Sequence, residues 1–266
     1  MRKGFLRDFI VLAVIGGSLL LGGYFLARKI WSSDLDLSYQ VSYEQENKLG
    51  ELFNELILSQ YSVIEDNAAD SALHQITDRL IHALDSSRYR YRFVILKSKQ
   101  INAFTIPGGN IFVFSGLIEL TQTPEELAAV LAHEIGHAEK RHIVSKLMQE
   151  LSITVLLSGS TGGDPGLIAQ ILKEIVGNSF SREQESDADQ FALSLLEKAK
   201  ISPKNLPRFF EKLNSKDLDY DENLEILMTH PHNNKRIEQT RRYKTKNDFH
   251  PEAFQIDWEK VKQSLK

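Results

Sequence analysis

Two histidines and a glutamate near the middle of the chain have the spacing found in metal-dependent hydrolases. The segment is His133-Glu134-Ile135-Gly136-His137, an HExxH motif. Residues four apart lie on the same face of a helix, so both imidazoles can bind one metal ion. The glutamate beside the first histidine can then deprotonate a metal-bound water. Because so short a pattern also arises by chance, its sequence context must decide whether it is functional.

That context is typical of a helix buried on most sides. Residues 123–126 combine an N-cap threonine, a proline at the first helical position and a glutamate at the third, which together form a capping box. Apolar residues follow at helical spacing, namely Leu127, Val130, Leu131, Ile135 and Ala138. Small residues cover much of the other side and allow close packing by a neighbour, namely Ala128, Ala129, Ala132 and Gly136. Such a helix has little reason to carry His-Glu-His unless these residues have a function.

Zinc held by two histidines needs a third protein ligand and keeps one position for water. A third histidine of the metzincin type would require glycine at 140 and histidine at 143, where the chain has Lys140 and Ile143. A later predicted helix that begins after Ser181 instead carries Glu185 and Asp189 on one face. Glu185 can bind the metal while Asp189 accepts a hydrogen bond from a ligand histidine. The alternative interpretation is an acidic helix start that the helix dipole favours.

Four motifs follow one another along the chain, namely Asn102-Ala103-Phe104 with Pro107-Gly108-Gly109, the HExxH segment, Ser181-Arg182 with Glu185 and Ala188-Asp189, and Thr229-His230-Pro231 with Arg236. Together, from roughly residue 43 to 243, they resemble the zinc metallopeptidase family of HtpX and the CAAX prenyl protease. The similarity is greatest to its periplasmic BepA/LoiP-type and mitochondrial Oma-type members. The resemblance implies one zinc per chain, with His133, His137 and Glu185 as ligands and Glu134 as catalytic base.

The remaining motif residues are candidates for substrate binding or catalysis. A protease can bind its substrate as an extra strand on a sheet edge, and Asn102-Ala103 resembles the gluzincin edge that does so, although an asparagine at a strand end is also common. Arg236 is assigned to substrate binding as well. His230 could stabilise the oxyanion, could occupy the open zinc position and block it, or could be a structural histidine beside proline. His142 lies five residues past His137, off the ligand face.

The predicted fold is α+β and mainly helical, a gluzincin-like metallopeptidase domain at 43–245 with a small antiparallel-containing sheet, followed by a C-terminal extension at 246–266. Strands are predicted at 91–96, 101–106 and 111–114, with a Pro-Gly-Gly-Asn turn before the last. Helices are predicted at 43–59, 68–84, 116–121, 124–140, 142–157, 166–178, 183–199, 203–213 and 233–243. The pair around 147–157 and 167–176 could form a lid over the cleft, touch the membrane surface or pack in the core.

The N-terminus is predicted to be a membrane anchor. Residues 9–27 carry no charge and are flanked by basic residues, and at about 1.5 Å per residue they roughly span a hydrocarbon core of about 30 Å. The three basic residues in the tail at 1–8 favour a cytoplasmic N-terminus. The linker at 28–42 and the catalytic domain would then face the periplasm from a bacterial inner membrane. A cleaved signal peptide is the alternative.

Composition excludes several classes of protein. The formal net charge is −4, whereas a dedicated nucleic-acid binder would normally be basic. The chain has no cysteine, which excludes a disulfide framework, a thiol nucleophile and a Cys-ligated zinc site. The motifs and the predicted anchor together indicate a membrane-anchored zinc endopeptidase, and the family resemblance implies that it removes misfolded or misassembled envelope polypeptides. The alternative is a chaperone-like or scaffold protein on the same fold, with cleavage secondary.

Overall fold

The computed structural model describes residues 41–150, 179–214, 223–231 and 234–265, with single residues 166, 170, 172, 173 and 177 between them. The predicted tail and anchor, nearly all of the predicted linker, and most of the predicted helices at 147–157 and 167–176 lie outside the described residues. Within the described part, no helix combines the length and apolar character needed to cross a membrane.

Ten helices and three strands are present in these ranges. The helices are α1 (Tyr43–Gln60), α2 (Asn67–His82), α3 (Ser115–Leu120), α4 (Pro124–Glu139), α5 (His142–Glu150), α6 (Arg182–Lys198), α7 (Asn205–Leu213), α8 (Ile226–Thr229), α9 (Asn234–Arg241) and α10 (Trp258–Ser264). The strands are β1 (Arg92–Leu96), β2 (Ala103–Ile106) and β3 (Asn110–Phe114). The predicted mainly helical α+β class with a small sheet is confirmed.

The sheet is mixed, with strand order β1-β3-β2. Strand β3 pairs in parallel with β1 and antiparallel with β2, where Ala103 lies opposite Val113. The turn between β2 and β3 requires φ values of 81° at Gly108 and 76° at Gly109, a region that favours glycine because it has no Cβ. Since β3 is central, β2 lies at an edge of the sheet.

Helices cover both faces of the sheet. Ala103, Ile111 and Val113 belong to the main core, where α2 and α4 pack on the strands. On the opposite face the ring of Phe104 stacks on Phe112 and meets Phe114 edge-on, with centroids 5.3 and 5.6 Å away. Helix α1 packs on this second face. Because side chains alternate along a strand, neighbouring residues of β2 face different layers.

Helix α4 is the centre of the main core and carries the HExxH motif. Its most extensive contact is with α6. A Cβ on Gly136 would lie 3.0 Å from the carbonyl oxygen of Ala188 on α6, so glycine at 136 allows the two backbones to approach closely. The small-residue side predicted for this helix is therefore the side that meets α6, and this contact brings His137 beside Glu185.

The C-terminal segment contributes to the same core. Helix α10, for which the sequence analysis made no prediction, packs against α2 through the buried residues Trp258 and Val261. The Trp258 indole donates a hydrogen bond of 3.0 Å to the carbonyl oxygen of Thr121. The described residues of the predicted extension, 246–265, thus close one side of the main core.

A buried polar cluster links the start of the domain to the end of α4. The Glu46 carboxylate accepts hydrogen bonds from Tyr89 Oη at 2.8 Å and from Arg141 Nε at 3.0 Å. Arg141 follows α4 in the left-handed conformation with φ 54°, and its Nη2 donates to the carbonyl oxygen of Val41 at 2.7 Å. The backbone just before α1 is therefore held against the C-terminal end of α4.

Candidate active site

Four potential metal ligands converge at the C-terminal half of α4. They are His133 and His137 on α4, Glu185 on α6 and His230 directly after α8, and one ligand atom from each lies within 4.8 Å of the others. His133 Nε2 is 3.0 Å from His137 Nε2 and 3.3 Å from His230 Nδ1. Glu185 Oε1 is 2.9 Å from His230 Nδ1 and 3.4 Å from His137 Nε2. All four side chains are buried.

A second set of charged groups supports this cluster. Asp189 Oδ1 lies 3.0 Å from His133 Nδ1. Arg236 donates two hydrogen bonds of 2.8 Å to the Asp189 carboxylate and also contacts Glu185. A proton on His133 Nδ1 would face Asp189 and leave the Nε2 lone pair directed into the cluster, which is the tautomer that binds a metal, although Nδ1 makes no hydrogen bond of good geometry among the described residues.

His137 has two neighbours that the sequence analysis did not assign to the site. His142 lies outside the set of four donors, as expected, but its Nδ1 is 3.1 Å from His137 Nδ1. The Phe180 ring packs against the His137 imidazole, with centroids 4.0 Å apart. A neutral His142 can accept the Nδ1 proton of His137, so we propose that His142 orients the second histidine.

Glu134 faces the cluster from the same helix. Its Oε2 accepts a hydrogen bond of 2.9 Å from Thr105 Oγ1 on β2. Its Oε1 lies 3.4 Å from His230 Nε2 and has no hydrogen-bond partner among the described residues. One oxygen of the carboxylate is thus held in place, and the other is available to the space beside the four donors.

Burial and mutual charge set the protonation states of these groups. Burial raises the pKa of the Glu134 carboxyl, lowers the pKa of His137 well below its usual range, and lowers the pKa of His142 to about 4. Burial also opposes ionisation of Glu185, but His230 and His137 hold the pKa of its carboxyl well below the usual range. Against the effect of burial, Glu185 and Glu134 raise the pKa of His230.

The residues present fit a divalent metal. The imidazoles of His133 and His137 and the carboxylate of Glu185 are nitrogen and oxygen donors of the type that bind zinc. The buried, unpartnered Oε1 of Glu134 beside them is the kind of polar atom that a bound water or ion would satisfy. Metal ligands must be deprotonated, and the lowered pKa values of His137 and Glu185 meet that requirement.

The other predicted site residues lie at different distances from the cluster. Asn102 and Ala103 stand at the start of β2, both fully buried, and the Asn102 side-chain amide has no hydrogen-bond partner within the described ranges. Thr105, two residues further along the same strand, is the β2 side chain that reaches Glu134. The sequence analysis missed it, although its position on the same face as Ala103 was a usable signal.

Arg236 was assigned to substrate binding, and the structure gives it different surroundings. Its side chain is only 6% exposed, its guanidinium is bound to Asp189 and Glu185, and it lies over the Phe210 ring at 4.7 Å from the centroid. A group enclosed in this way holds other site residues in position, so we propose a positioning role for Arg236 in place of substrate contact.

Comparison with known proteins identifies relatives of this chain. The sequence profile of peptidase family M48 matches residues 67–244. A beta-barrel assembly-enhancing protease from Yersinia pestis is 27% identical over 82% of this chain and 48% of the relative. The mitochondrial metalloendopeptidase OMA1 of Schizosaccharomyces pombe is 29% identical over 61% of this chain and 49% of the relative. The metalloprotease LoiP of Escherichia coli is 33% identical over 46% of this chain and 50% of the relative.

These matches confirm the family resemblance predicted from the four motifs. The chain spans about half the length of the curated relatives that it matches.

If His142 orients His137, removing its ring nitrogen should weaken metal binding. We expect His142→Leu to lower zinc affinity about 10- to 100-fold, the usual effect of losing a partner of a metal-bound histidine. His142→Gln, which retains an acceptor, should recover part of the loss. His74→Leu, at an exposed histidine on α2, is the control. Competition with a chromophoric chelator measures the affinity, and equal values for His142→Leu and the control would exclude the orienting role.

Proposed function

The chain belongs to peptidase family M48, and we propose that it is a zinc-dependent endopeptidase whose catalytic centre is the cluster around Glu134. The observation that carries this proposal is the convergence of His133, His137 and Glu185 beside a buried carboxylate with one unpartnered oxygen. The three donors would hold one zinc ion. When bound, zinc supplies a Lewis acid that polarises a substrate carbonyl and acidifies a water molecule.

Glu134 is proposed as the general base. Thr105 fixes Oε2, so Oε1 is the atom that takes a proton from water and later returns it to the leaving amine. Burial raises the pKa of this carboxyl. A general base works best when its pKa lies near the pH of the reaction, so this shift favours the proposed role. The intact glutamate supports an enzyme over a scaffold that only binds polypeptides.

Asp189 and Arg236 are proposed to hold the ligands in place. Asp189 fixes the tautomer of His133, and Arg236 joins Asp189 to Glu185 through a shared guanidinium. The buried positive charge of Arg236 also offsets part of the negative charge of the two carboxylates. Ligands from two helices are thereby set in a fixed relative position.

His230 is proposed to be a fourth donor in the conformation observed here. Its Nδ1 points at His133 and Glu185, and its Nε2 faces Glu134. This placement supports the blocking role among those considered for His230, because a fourth protein ligand takes the position that water needs. Glu134 is 1% exposed, so substrate access requires movement of the segment that carries His230.

Substrate is proposed to bind as an extended segment along β2. The amide nitrogen of Phe114 donates to the carbonyl oxygen of Asn102 at 3.1 Å. In an antiparallel pair the inward-facing peptide groups alternate, so those of Ala103 and Thr105 point away from β3. Asn102 was predicted to bond substrate backbone, but its side chain is fully buried and its carbonyl oxygen faces β3, so Ala103 and Thr105 are proposed to make these bonds.

We further propose that residues 9–27 anchor the chain in a membrane, with the catalytic domain on the extracytoplasmic side of a bacterial inner membrane. The support is the uncharged stretch between basic flanks. Misfolded or misassembled envelope polypeptides are the proposed substrates. A relative whose name refers to beta-barrel assembly supports this assignment.

Replacing the base should separate metal binding from catalysis. We expect Glu134→Gln to retain about one zinc per chain and to lose at least about 10²-fold in peptide hydrolysis. Glu183→Gln, at an exposed glutamate near the start of α6, should change neither. Zinc content and the hydrolysis of a casein-type substrate, with and without chelator, measure both properties. A Glu134→Gln variant as active as the control would overturn the proposed function.

Removing His230 should increase activity if it fills the fourth position. If the closed form outnumbers the open form about ten to one, His230→Ala should hydrolyse peptides about tenfold faster at matched zinc occupancy. His250→Ala, at an exposed histidine, should match the wild type. A fall of about 10²- to 10³-fold would instead assign His230 as an oxyanion donor, and an unchanged rate would remove it from the mechanism.

The anchor is tested by fractionation. We expect the full chain to remain in the membrane pellet after a carbonate wash, and a variant with Ile15→Arg and Leu20→Arg to be released, because two charges in the stretch are costly in a bilayer. External protease should reach the catalytic domain only from the non-cytoplasmic side. Recovery of a soluble protein that starts near residue 28 would show a cleaved signal peptide instead.

A further inference from the structure

A large apolar cavity lies beside β2, on the sheet face away from Glu134. Its volume is about 650 Å³, within the range of ligand-binding pockets. Its apolar walls come from the end of α1, from β2, from α8 and from the segment before α6. The apolar side chains that line it are Ile57, Tyr61, Phe104, Leu172 and Met228.

The cavity and the catalytic cluster lie on opposite sides of one strand. Thr105 contacts Glu134, whereas its neighbour Phe104 stacks with the phenylalanines on the α1 face and lines the cavity. Thr229, the residue before His230, also lines the cavity. The segment that must move to open the catalytic cluster is therefore also part of the cavity wall.

A peptide along β2 would place side chains on both faces. The edge is already occupied just before β2, where Ile101 exchanges backbone hydrogen bonds of 2.8 and 3.1 Å with Asn223 and Ile226. The peptide groups of Ala103 and Thr105 come next on that edge. Because substrate side chains alternate between the faces, the residue next to one that faces Glu134 would point toward the cavity.

The chemistry of the cavity favours an apolar occupant. The Glu225 carboxylate on its wall already accepts a hydrogen bond of 2.5 Å from Gln100 Nε2. Met228 is a large apolar residue that is 69% exposed and lines the cavity. A concave surface that combines apolar side chains with a few polar groups is typical of a binding site.

We infer that this cavity is a specificity subsite that receives one bulky apolar side chain, such as leucine or phenylalanine, from a polypeptide extended along β2. The inference rests on the proposed function, and it assigns Met228, Tyr61 and the wall at Gly177 to substrate selection. The side chain enters the cavity while the adjacent residue of the same segment faces Glu134.

Gly177 provides a way to fill the cavity. It lies on the cavity wall, and a Cβ built there meets no other atom within 4 Å. A larger side chain at this position would therefore occupy the cavity.

Quenched fluorescent peptides that differ at single positions on each side of the cleaved bond would be tested with the zinc-loaded protein. For the wild type we expect kcat/KM to be at least about 10-fold higher for leucine or phenylalanine than for alanine at one position.

Gly177→Phe should remove that preference while leaving alanine peptides cleaved at the wild-type rate, and Gly177→Ala should behave as the wild type. Met228→Glu, which places a charge at the cavity, is a second variant and should also lower cleavage of the leucine peptide selectively. A wild type that cleaves peptides without apolar preference, or variants that slow all peptides equally, would overturn the subsite and leave the proposed function standing. Zinc-loaded protein that cleaves no peptide would overturn the proposed function and the subsite with it.

Discussion

The structure depends on burying several charges in one place. Glu134, Glu185 and Asp189 are each at most 2% exposed, and a buried carboxylate is costly unless it is paired. Arg236 contacts two of the three, which leaves the cluster short of positive charge unless protons or a cation are added. The raised pKa of His230 is one response to this deficit. A divalent ion bound by His133, His137 and Glu185 would be another, so the groups proposed to hold metal are also the groups whose charge it would offset.

Close packing of α4 against α6 makes this burial possible. With no side chain at Gly136, the backbone of α4 reaches that of α6 at Ala188, and the ligands on the two helices come within bonding distance of one ion. The sheet completes the arrangement, since Thr105 on β2 fixes the base from the opposite side of α4. The site is built from two helices and a strand in mutual contact, whereas His230 lies on the short segment after α8 and is the donor that we propose can move.

Helix α4 and the β2–β3 hairpin were predictable because their sequence signals are local. The capping box and apolar spacing of 123–138 identify α4, and the glycine turn at 107–110 identifies the β2–β3 hairpin. The parts that were missed depend on an unusual backbone conformation or on tertiary contacts. His142 touches His137 because the chain turns sharply at Arg141. Trp258 joins the core because α10 packs on α2. The burial of Arg236 depends on carboxylates 47 and 51 residues earlier in the chain, Asp189 and Glu185, and no local pattern reports such a contact.

The bond between Arg141 and the Val41 carbonyl would limit how far a membrane-anchored form of the protein reaches. It holds the backbone at Val41 against the C-terminal end of α4, so residues 28–40 would be the longest tether available to a chain anchored through residues 9–27. Thirteen residues extend at most about 45 Å. For a chain tethered through residues 9–27, the catalytic centre can therefore sweep only a shallow layer next to the bilayer. Polypeptides that stall at the membrane surface would lie within reach, and those free in the bulk compartment would have to diffuse to it.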